Sequence, residues 1–395
     1  MTPRSSRAEP ARCCPRSGEG EMAMRRQPLR LLADDLTGAL DSAAAFAAPA
    51  KPIGVSWRGG VPVSGAVALD SRSREMQAED ARTSVLAVGR ALWAKGAGLA
   101  FKKVDSLLRG HEAVELSAIL DLLKPAHCII APAFPAQGRV TRAGRQGVLS
   151  EGDWRPVAAD LESELAQAGH DVTPVRAGSD MPDGISLWDA ESDDDLDAIV
   201  AAAERLDDVL WVGSGGLAAA LARSMGMQRR VQAGSLSRPI LGLIGSEHPV
   251  AREQLARLGA QHSPVAVPGT HDGAVAGRLA VDGVAFASVD LPEGTPRRDA
   301  AALIATRFAG LLATLDKPGT LIAAGGETLR GICETLDADR LDVIGEITPG
   351  VPRSILRGGR WDGVTVVSKS GAFGGPDLLK QIIAGTPAPL AGAVA

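Results

Sequence analysis

Short apolar runs, several rich in β-branched residues, alternate along the chain with longer Ala- and Leu-rich stretches whose apolar positions recur at helical spacing. The runs "LRLL", "AVALD", "LAFKKV" (99–104), "HCIIA" (127–131) and "VLWVG" (209–213) read as strands. So do "ILGLIG" (240–245), "TLIAAG" (320–325) and "GVTVVSK" (363–369) in the second half. Helices are expected over 78–95, 112–123, 216–225, 250–258, 299–315 and 327–337, and from the Ala-rich stretch after Asp35. Strand–helix alternation of this kind predicts an α/β fold, with mainly parallel sheets flanked by helices. Ligands of such sheets lie beyond the carboxyl ends of the strands, and every polar cluster discussed below follows a predicted strand.

Length divides this pattern. The 395 residues exceed what one small core needs, so two domains are expected. The polar stretch "MQRRVQAGSLSRP" (227–238 at its core) separates two strand–helix series and marks the boundary. The first 26 residues are rich in Arg, Pro, Ser and Gly without an apolar centre, and are expected to be disordered rather than a secretory signal. No apolar run approaches the ~20 residues of a membrane helix. With 42 basic against 47 acidic residues, the net charge is −5, which disfavours a sequence-independent nucleic-acid binder. The four cysteines, Cys13, Cys14, Cys128 and Cys333, show no zinc or disulfide spacing. Reduced thiols and a cytoplasmic location are the expectation. The acidic run 189–200 reads as an exposed helix start.

The chemistry concentrates in a few turns. In "LLADDLTGALD" two adjacent carboxylates, Asp34 and Asp35, end a strand where a helix begins. One Asp suffices to cap a helix, and Thr37 is a further candidate cap. The like charges call for something positive opposite them. "FKKVDSLLRGH" (101–111) supplies Lys103, Asp105 and Arg109. Strand alternation allows only one of Lys102 and Lys103 to face a site, and an Asp105–Arg109 surface pair is the bland alternative. "LDSRSREM" adds Arg74, and "APAFPAQGRVTRAG" reads as a rigid non-helical loop carrying Arg139 and Arg142. "VGSGGLAAALA", "LIGSEHP", "AAGGETLRG" and "SKSGAFGG" are glycine turns at strand ends, where backbone N–H groups can hold phosphate. None matches a Walker loop or a clean G-x-G-x-x-G, so an ordinary P-loop kinase or dinucleotide oxidoreductase is disfavoured.

In order, "ADDLTGALD", "DSRSR", "FKKVDSLLRG", "APAFPAQGR", "GSGGLA", "GGET" and "SKSGAFG" resemble the four-carbon acid sugar kinase family across roughly residues 28–386. The resemblance implies an acid-sugar-binding domain over 27–230, a nucleotide-binding domain over 238–395 and an active-site cleft between them. It implies ATP and Mg2+ as cofactors, a small sugar acid as substrate, and no nucleic-acid or membrane partner; homo-oligomers stay open. Asp35 is the implied catalytic base, with Asp105 as runner-up, and Asp34 orients Asp35 or caps the helix. Asp34, Arg74, Lys103 and Arg109 fall on the acid-binding side. Ser246, Gly325, Gly326, Glu327, Thr328, Gly371 and Gly374 fall on the nucleotide side. Leu107 and His111 stand where the family commonly has Thr and Asn. The alternative is a non-catalytic sugar-acid or carboxylate sensor on the same scaffold.

Overall fold

The structure, a computed structural model, describes residues 27–58, 65–94, 98–227, 235–267, 273–292 and 294–385. The N-terminal 26 residues with Cys13 and Cys14, and residues 228–234 of the expected boundary, lie outside these. Among the described residues no helix is long and apolar enough to cross a membrane.

Fifteen strands form one sheet. Its N-terminal half is parallel throughout, in the order Ile53–Ser56, Val67–Asp70, Leu29–Ala33, Leu99–Lys103, Val209–Gly213, His127–Ala131, Gly184–Trp188 and Val172–Val175. The C-terminal half sets Val265–Ala266, Val284–Ser288, Ile240–Ile244, Thr320–Ala324 and Thr365–Lys369 parallel to one another. A hairpin of Arg340–Thr348 and Val351–Arg357 joins the halves, pairing antiparallel to Thr365–Lys369 on one side and to Ile53–Ser56 on the other.

Strands such as Leu29–Ala33 and Thr320–Ala324 are buried along their whole length, which is why they read as unbroken apolar runs rather than as alternation. Successive side chains still take opposite faces. Leu31, Leu321 and Val366 enter one core that runs continuously beneath both halves. Their neighbours enter two separate cores on the other face, Leu32 in the N-terminal half and Ile322 and Val367 in the C-terminal half.

Three antiparallel reversals along the ladder leave the C-terminal strands running opposite to the N-terminal ones. In a flat sheet their carboxyl ends would point apart. Each strand step twists by roughly 20–25°, and five steps separate Leu29–Ala33 from Thr365–Lys369. A twist of that size brings the ends nearer, and residues at the carboxyl ends of both sets, Lys103 and Lys369 among them, line one cleft.

Predicted strands and helices agree with the structure to within a residue or two at most ends. The joining hairpin and a three-stranded sheet of Arg139–Arg142, Arg145–Ser150 and Asp153–Pro156 were not expected; the second begins inside the stretch that reads as a rigid loop, whose earlier part stays non-helical apart from the short turn Pro135–Gln137. The acidic run does open a helix, Asp193–Ala202, capped by Ser192 with Asp195 in a reciprocal box.

Candidate active site

The cleft encloses about 420 Å³, solvent at its mouth included. Asp35, Arg74, Lys103, Asp105 and Arg109 line it from the N-terminal half, and Ser368, Lys369 and Ser370 from the C-terminal half.

Asp35 is the N-cap of helix Leu36–Ala44. Its Oδ1 accepts from the Gly38 amide at 2.9 Å and its Oδ2 from the Thr37 hydroxyl. This corrects the expectation that Asp34 or Thr37 caps the helix: the cap is the cleft residue itself. Gly38 is needed for close approach, since a Cβ there would lie 2.6 Å from Asp35 Oδ1 and 2.9 Å from Lys103 Nζ.

Asp34 turns the other way, into a two-pronged bond with Arg74 (Nε to Oδ2 2.6 Å, Nη2 to Oδ1 2.9 Å). Arg74 Nη2 also lies 2.9 Å from Asp35 Oδ1 and 3.9 Å from Asp105 Oδ1. One guanidinium thus answers both adjacent carboxylates. Burial opposes the charge on Asp34, but Arg74, Lys103 and Lys102 prevail and hold its carboxyl below the usual range. Burial likewise opposes the charge on Arg74, and Asp34, Asp35 and Asp105 raise its pKa well above the ordinary value.

Asp105 pairs with Arg109 through two bonds of 2.6 and 2.8 Å. The pair is not confined to the surface: Asp105 is buried, and both residues line the cleft. Burial works against ionisation of Asp105, but Arg109 and Arg74 hold its carboxyl far below the usual range. The two lysines separate as alternation requires. Lys102 turns away to Glu115 at 2.7 Å, while Lys103 enters the cleft.

The glycine turns interlock beside the C-terminal wall, and none of Ser246, Gly325, Gly326, Glu327, Thr328, Gly371 and Gly374 lines the cleft itself. Gly371 has no room for a Cβ against Ser246 Oγ, nor Gly245 against Thr328 Oγ1, and Gly325 holds φ at 108°. A Cβ on Gly326 would lie 3.0 Å from Asp35 Oδ2. The N-terminus of helix Gly326–Thr335 therefore abuts the carboxylate that caps helix Leu36–Ala44. Ser214 caps a third helix, Gly215–Ser224, at the same cleft. Converging helix N-termini favour an anion.

Two of these residues face elsewhere. Gly374 packs on Leu378, and its carbonyl accepts from Gln254 Nε2 at 3.1 Å. Gln254 also holds the carbonyls of Phe373 and Gly375, so it fixes the glycine loop from behind. The Glu327 side chain is half exposed and reaches Arg330 Nε at 3.6 Å. Two residues outside the predicted set join the site. Phe134 and Phe373 meet edge-to-face across the halves at 5.9 Å.

A further residue outside that set, Lys369, is the more telling. It ends a strand, is 1% exposed and lines the cleft. Its nearest acceptor is the Gly371 carbonyl at 3.4 Å, and among the described residues no carboxylate comes within ion-pairing distance. Burial alone pushes its amine down to about 7. His248 shows the same positive field: burial, Arg109, Lys369 and Arg139 all lower its pKa. The sequence signal was a lysine closing an apolar strand ahead of "SGAFGG".

Comparison with known proteins agrees with this two-sided construction. A sugar-binding N-terminal domain family matches residues 29–186, and a nucleotide-binding C-terminal domain family matches residues 274–379. A D-threonate kinase of Cupriavidus necator is 34% identical, covering 87% of this chain and 94% of its own. A D-threonate kinase of Bordetella bronchiseptica is 31% identical over 88% and 95%. The chain belongs to the four-carbon acid sugar kinase family. A more distant member, a D-erythronate kinase of Heliobacterium modesticaldum, is 25% identical over 88% of this chain. A solved Salmonella typhimurium protein described as a putative tRNA synthase superposes with a TM-score of 0.66 at 20% identity, covering 89% of this chain and 97% of its own. At that identity the likeness shows the fold alone. Asp34, Asp35, Arg74, Asp105 and Arg109 fall within the first matched stretch, and Lys369 with the Gly325–Gly326 and Gly371 turns within the second.

Proposed function

We propose that this chain is an ATP-dependent kinase that phosphorylates a hydroxyl of a small, four-carbon sugar acid. The acid is held within residues 27–230 and the nucleotide within residues 238–395. The relatives' names support a sugar-acid kinase. The observation that carries the reading is Lys369. A buried ammonium without a counter-ion is costly, and a phosphate in the cleft supplies the missing charge.

The chemistry asks for placement and charge stabilisation rather than covalent help. The acid's hydroxyl oxygen attacks the γ-phosphorus, the bond to the bridging oxygen breaks, and ADP leaves. Asp35 takes the hydroxyl proton, and it must lie within about 3 Å of that oxygen. Asp105 is the poorer base, because Arg109 and Arg74 depress its proton affinity. Lys369 and the N-terminus of helix Gly326–Thr335 face the charge that develops on the transferred group. Lys103 and Arg109 are the cations placed for the acid's carboxylate, while Arg74 holds Asp34 and Asp35 in register.

Glycine at 326 and 371 lets these turns pack closely on Asp35 and Ser246, and backbone N–H groups of such turns are the groups that would hold a polyphosphate. Among the described residues no group of three His, Cys, Asp or Glu side chains is placed to cage a metal. That suits Mg2+, which binds mostly through substrate phosphates and water with one or two carboxylates; Asp35, beside the Gly326 turn, is the candidate ligand. The ion's contribution is to neutralise phosphate charge.

The test is ADP release by purified protein with ATP and Mg2+ over threonates, erythronates and their 3-oxo forms, of both hands. Acid-dependent release is the expected result. Silence across the panel, with no nucleotide-induced shift in melting temperature, overturns the reading in favour of a carboxylate sensor.

A further inference from the structure

One buried ion pair crosses between the halves without touching the cleft. Asp70 closes strand Val67–Asp70, and Arg330 sits on helix Gly326–Thr335. Arg330 Nη2 bonds Asp70 Oδ2, with the two side chains 4% and 0% exposed. Neither residue lines the cleft.

The position of the pair is informative. Asp70 begins the loop that ends in Arg74, and that loop is stitched to the Asp34 strand. Ser71 donates to the Ala33 carbonyl through its amide (2.9 Å) and its hydroxyl (2.8 Å). Ser73 Oγ meets Ser71 Oγ at 2.8 Å, and the Arg74 amide donates to the Asp34 carbonyl at 3.3 Å. Arg330 lies one helical turn beyond Gly326, on the same rigid element as the Gly325–Thr328 turn. The pair therefore ties the loop that positions both carboxylates to the helix whose N-terminus faces the nucleotide side.

Stability is a weak reason for such a pair. Arg330 Nη1 is buried without a partner, and Nε has only Glu327 at 3.6 Å. Incompletely satisfied buried pairs are commonly no better than apolar replacements. The two other ion pairs on this face, Arg72–Glu334 at 3.2 Å and Arg58–Asp337 at 2.9 Å, are exposed and screened by solvent. Only Asp70–Arg330 is dry enough to make its geometry matter.

We infer that Asp70 and Arg330 are positioning residues that couple the two half-sites, so that filling the Gly325–Thr328 turn orders the loop carrying Arg74. The inference rests on the kinase reading, because it assigns the nucleotide to that turn. Coupling aligns hydroxyl and γ-phosphate, an effect that falls on kcat rather than on either substrate's KM.

The experiment is hydrogen exchange over residues 70–76 with and without a saturating non-hydrolysable ATP analogue and Mg2+, with no acid present. Wild type should show slowed exchange on nucleotide binding. Asp70→Asn and Arg330→Gln should bind the analogue yet lose that response, with kcat down at least tenfold and each KM within threefold. The double variant Asp70→Asn/Arg330→Met leaves no buried charge and keeps an acceptor for the Arg72 amide, which bonds Asp70 Oδ1 at 2.7 Å, so it should fold as well as wild type and still lose the response. Arg72→Ala, which removes an exposed pair from the same helix, should keep it. A response that persists in the folded double variant, or is missing from nucleotide-bound wild type, overturns the inference alone. A wild type that binds no nucleotide overturns the kinase reading and the inference together.

Discussion

The two walls of the cleft prepare for a ligand in opposite ways. On the N-terminal wall the carboxylates are answered before anything binds: Arg74 serves Asp34 and Asp35, Arg109 serves Asp105, and Lys103 brings the cations to three against three. On the C-terminal wall charge is left open: backbone turns crowd together through glycine, and Lys369 stands without a counter-ion. The first arrangement fixes geometry, since every carboxylate oxygen that matters is held by a donor. The second leaves a site whose electrostatics are completed by its ligand. A kinase needs both, a rigid socket for the acceptor hydroxyl and an unsatisfied cradle for phosphate.

Substituting one cation on each wall tests this contrast. Lys369→Met should lower kcat by about 10²–10³-fold, the scale for removing a charge-stabilising donor, while leaving thermal stability unchanged or raised, because it deletes an unpaired buried cation. The pH response follows with a definite sign. Burial lowers the Lys369 pKa to about 7, so the amine loses its charge as pH rises above that value, and phosphate prefers the ammonium. Nucleotide affinity in wild type should weaken between pH 7 and pH 9, with proton uptake on binding seen by calorimetry in buffers of different ionisation enthalpy. Lys369→Met should lose both. A variant that melts well below wild type with kcat intact would make Lys369 a structural residue.

Arg74→Ala should invert that outcome. It takes from Asp34 both of its guanidinium bonds and from Asp35 its ion pair, a broken buried pair for which a cost of about 3–5 kcal/mol is expected, visible as a large drop in Tm. If Arg74→Ala and Lys369→Met prove equally destabilising in chemical denaturation, the difference between a paired and an open wall disappears.

How much of this was legible depended on how local its cause was. Strands His127–Ala131 and Val209–Gly213 could be read to the residue, because burial on both faces leaves an unbroken apolar run. The hairpin Arg340–Thr348/Val351–Arg357 could not, since charged residues interrupt it. Arg340 and Arg357 both reach Asp342, at 2.8 and 2.7 Å, on its open face. At the site, the repulsion between Asp34 and Asp35 correctly called for a cation, but which carboxylate caps the helix follows from backbone direction and not from the residue pair. Lys369 is visible in the sequence only as the lysine that closes an apolar strand; what distinguishes it is the absence of an ion-pair partner among the described residues, a property of the folded chain. The contact of Gly326 with Asp35 joins the ends of two strands that lie six places apart in the sheet, and no short motif encodes that.

Behind the N-terminal wall lies one group that resembles Lys369, and it offers the finest test. Glu112 is buried beside the carboxylate network, where its Oε1 accepts from the Gly110 amide at 3.0 Å. Burial, followed by Asp34 and Asp105, pushes its carboxyl from 4.5 up to about 8. It is therefore protonated at neutral pH and keeps the wall's charges balanced by remaining neutral. A carboxyl raised in the folded state contributes stability that is complete below its unfolded value and is lost as pH climbs through the folded one. Glu112→Gln keeps the acceptor and the neutral charge, so it should match wild type near pH 4.5. Its advantage in denaturation free energy should grow up to about pH 8, by at most about 1.4 kcal/mol per pH unit, with kcat changed less than threefold. A difference between the two proteins that stays flat with pH would mean that Glu112 is ionised in the fold, and the N-terminal wall would then carry an unbalanced charge as the C-terminal wall does.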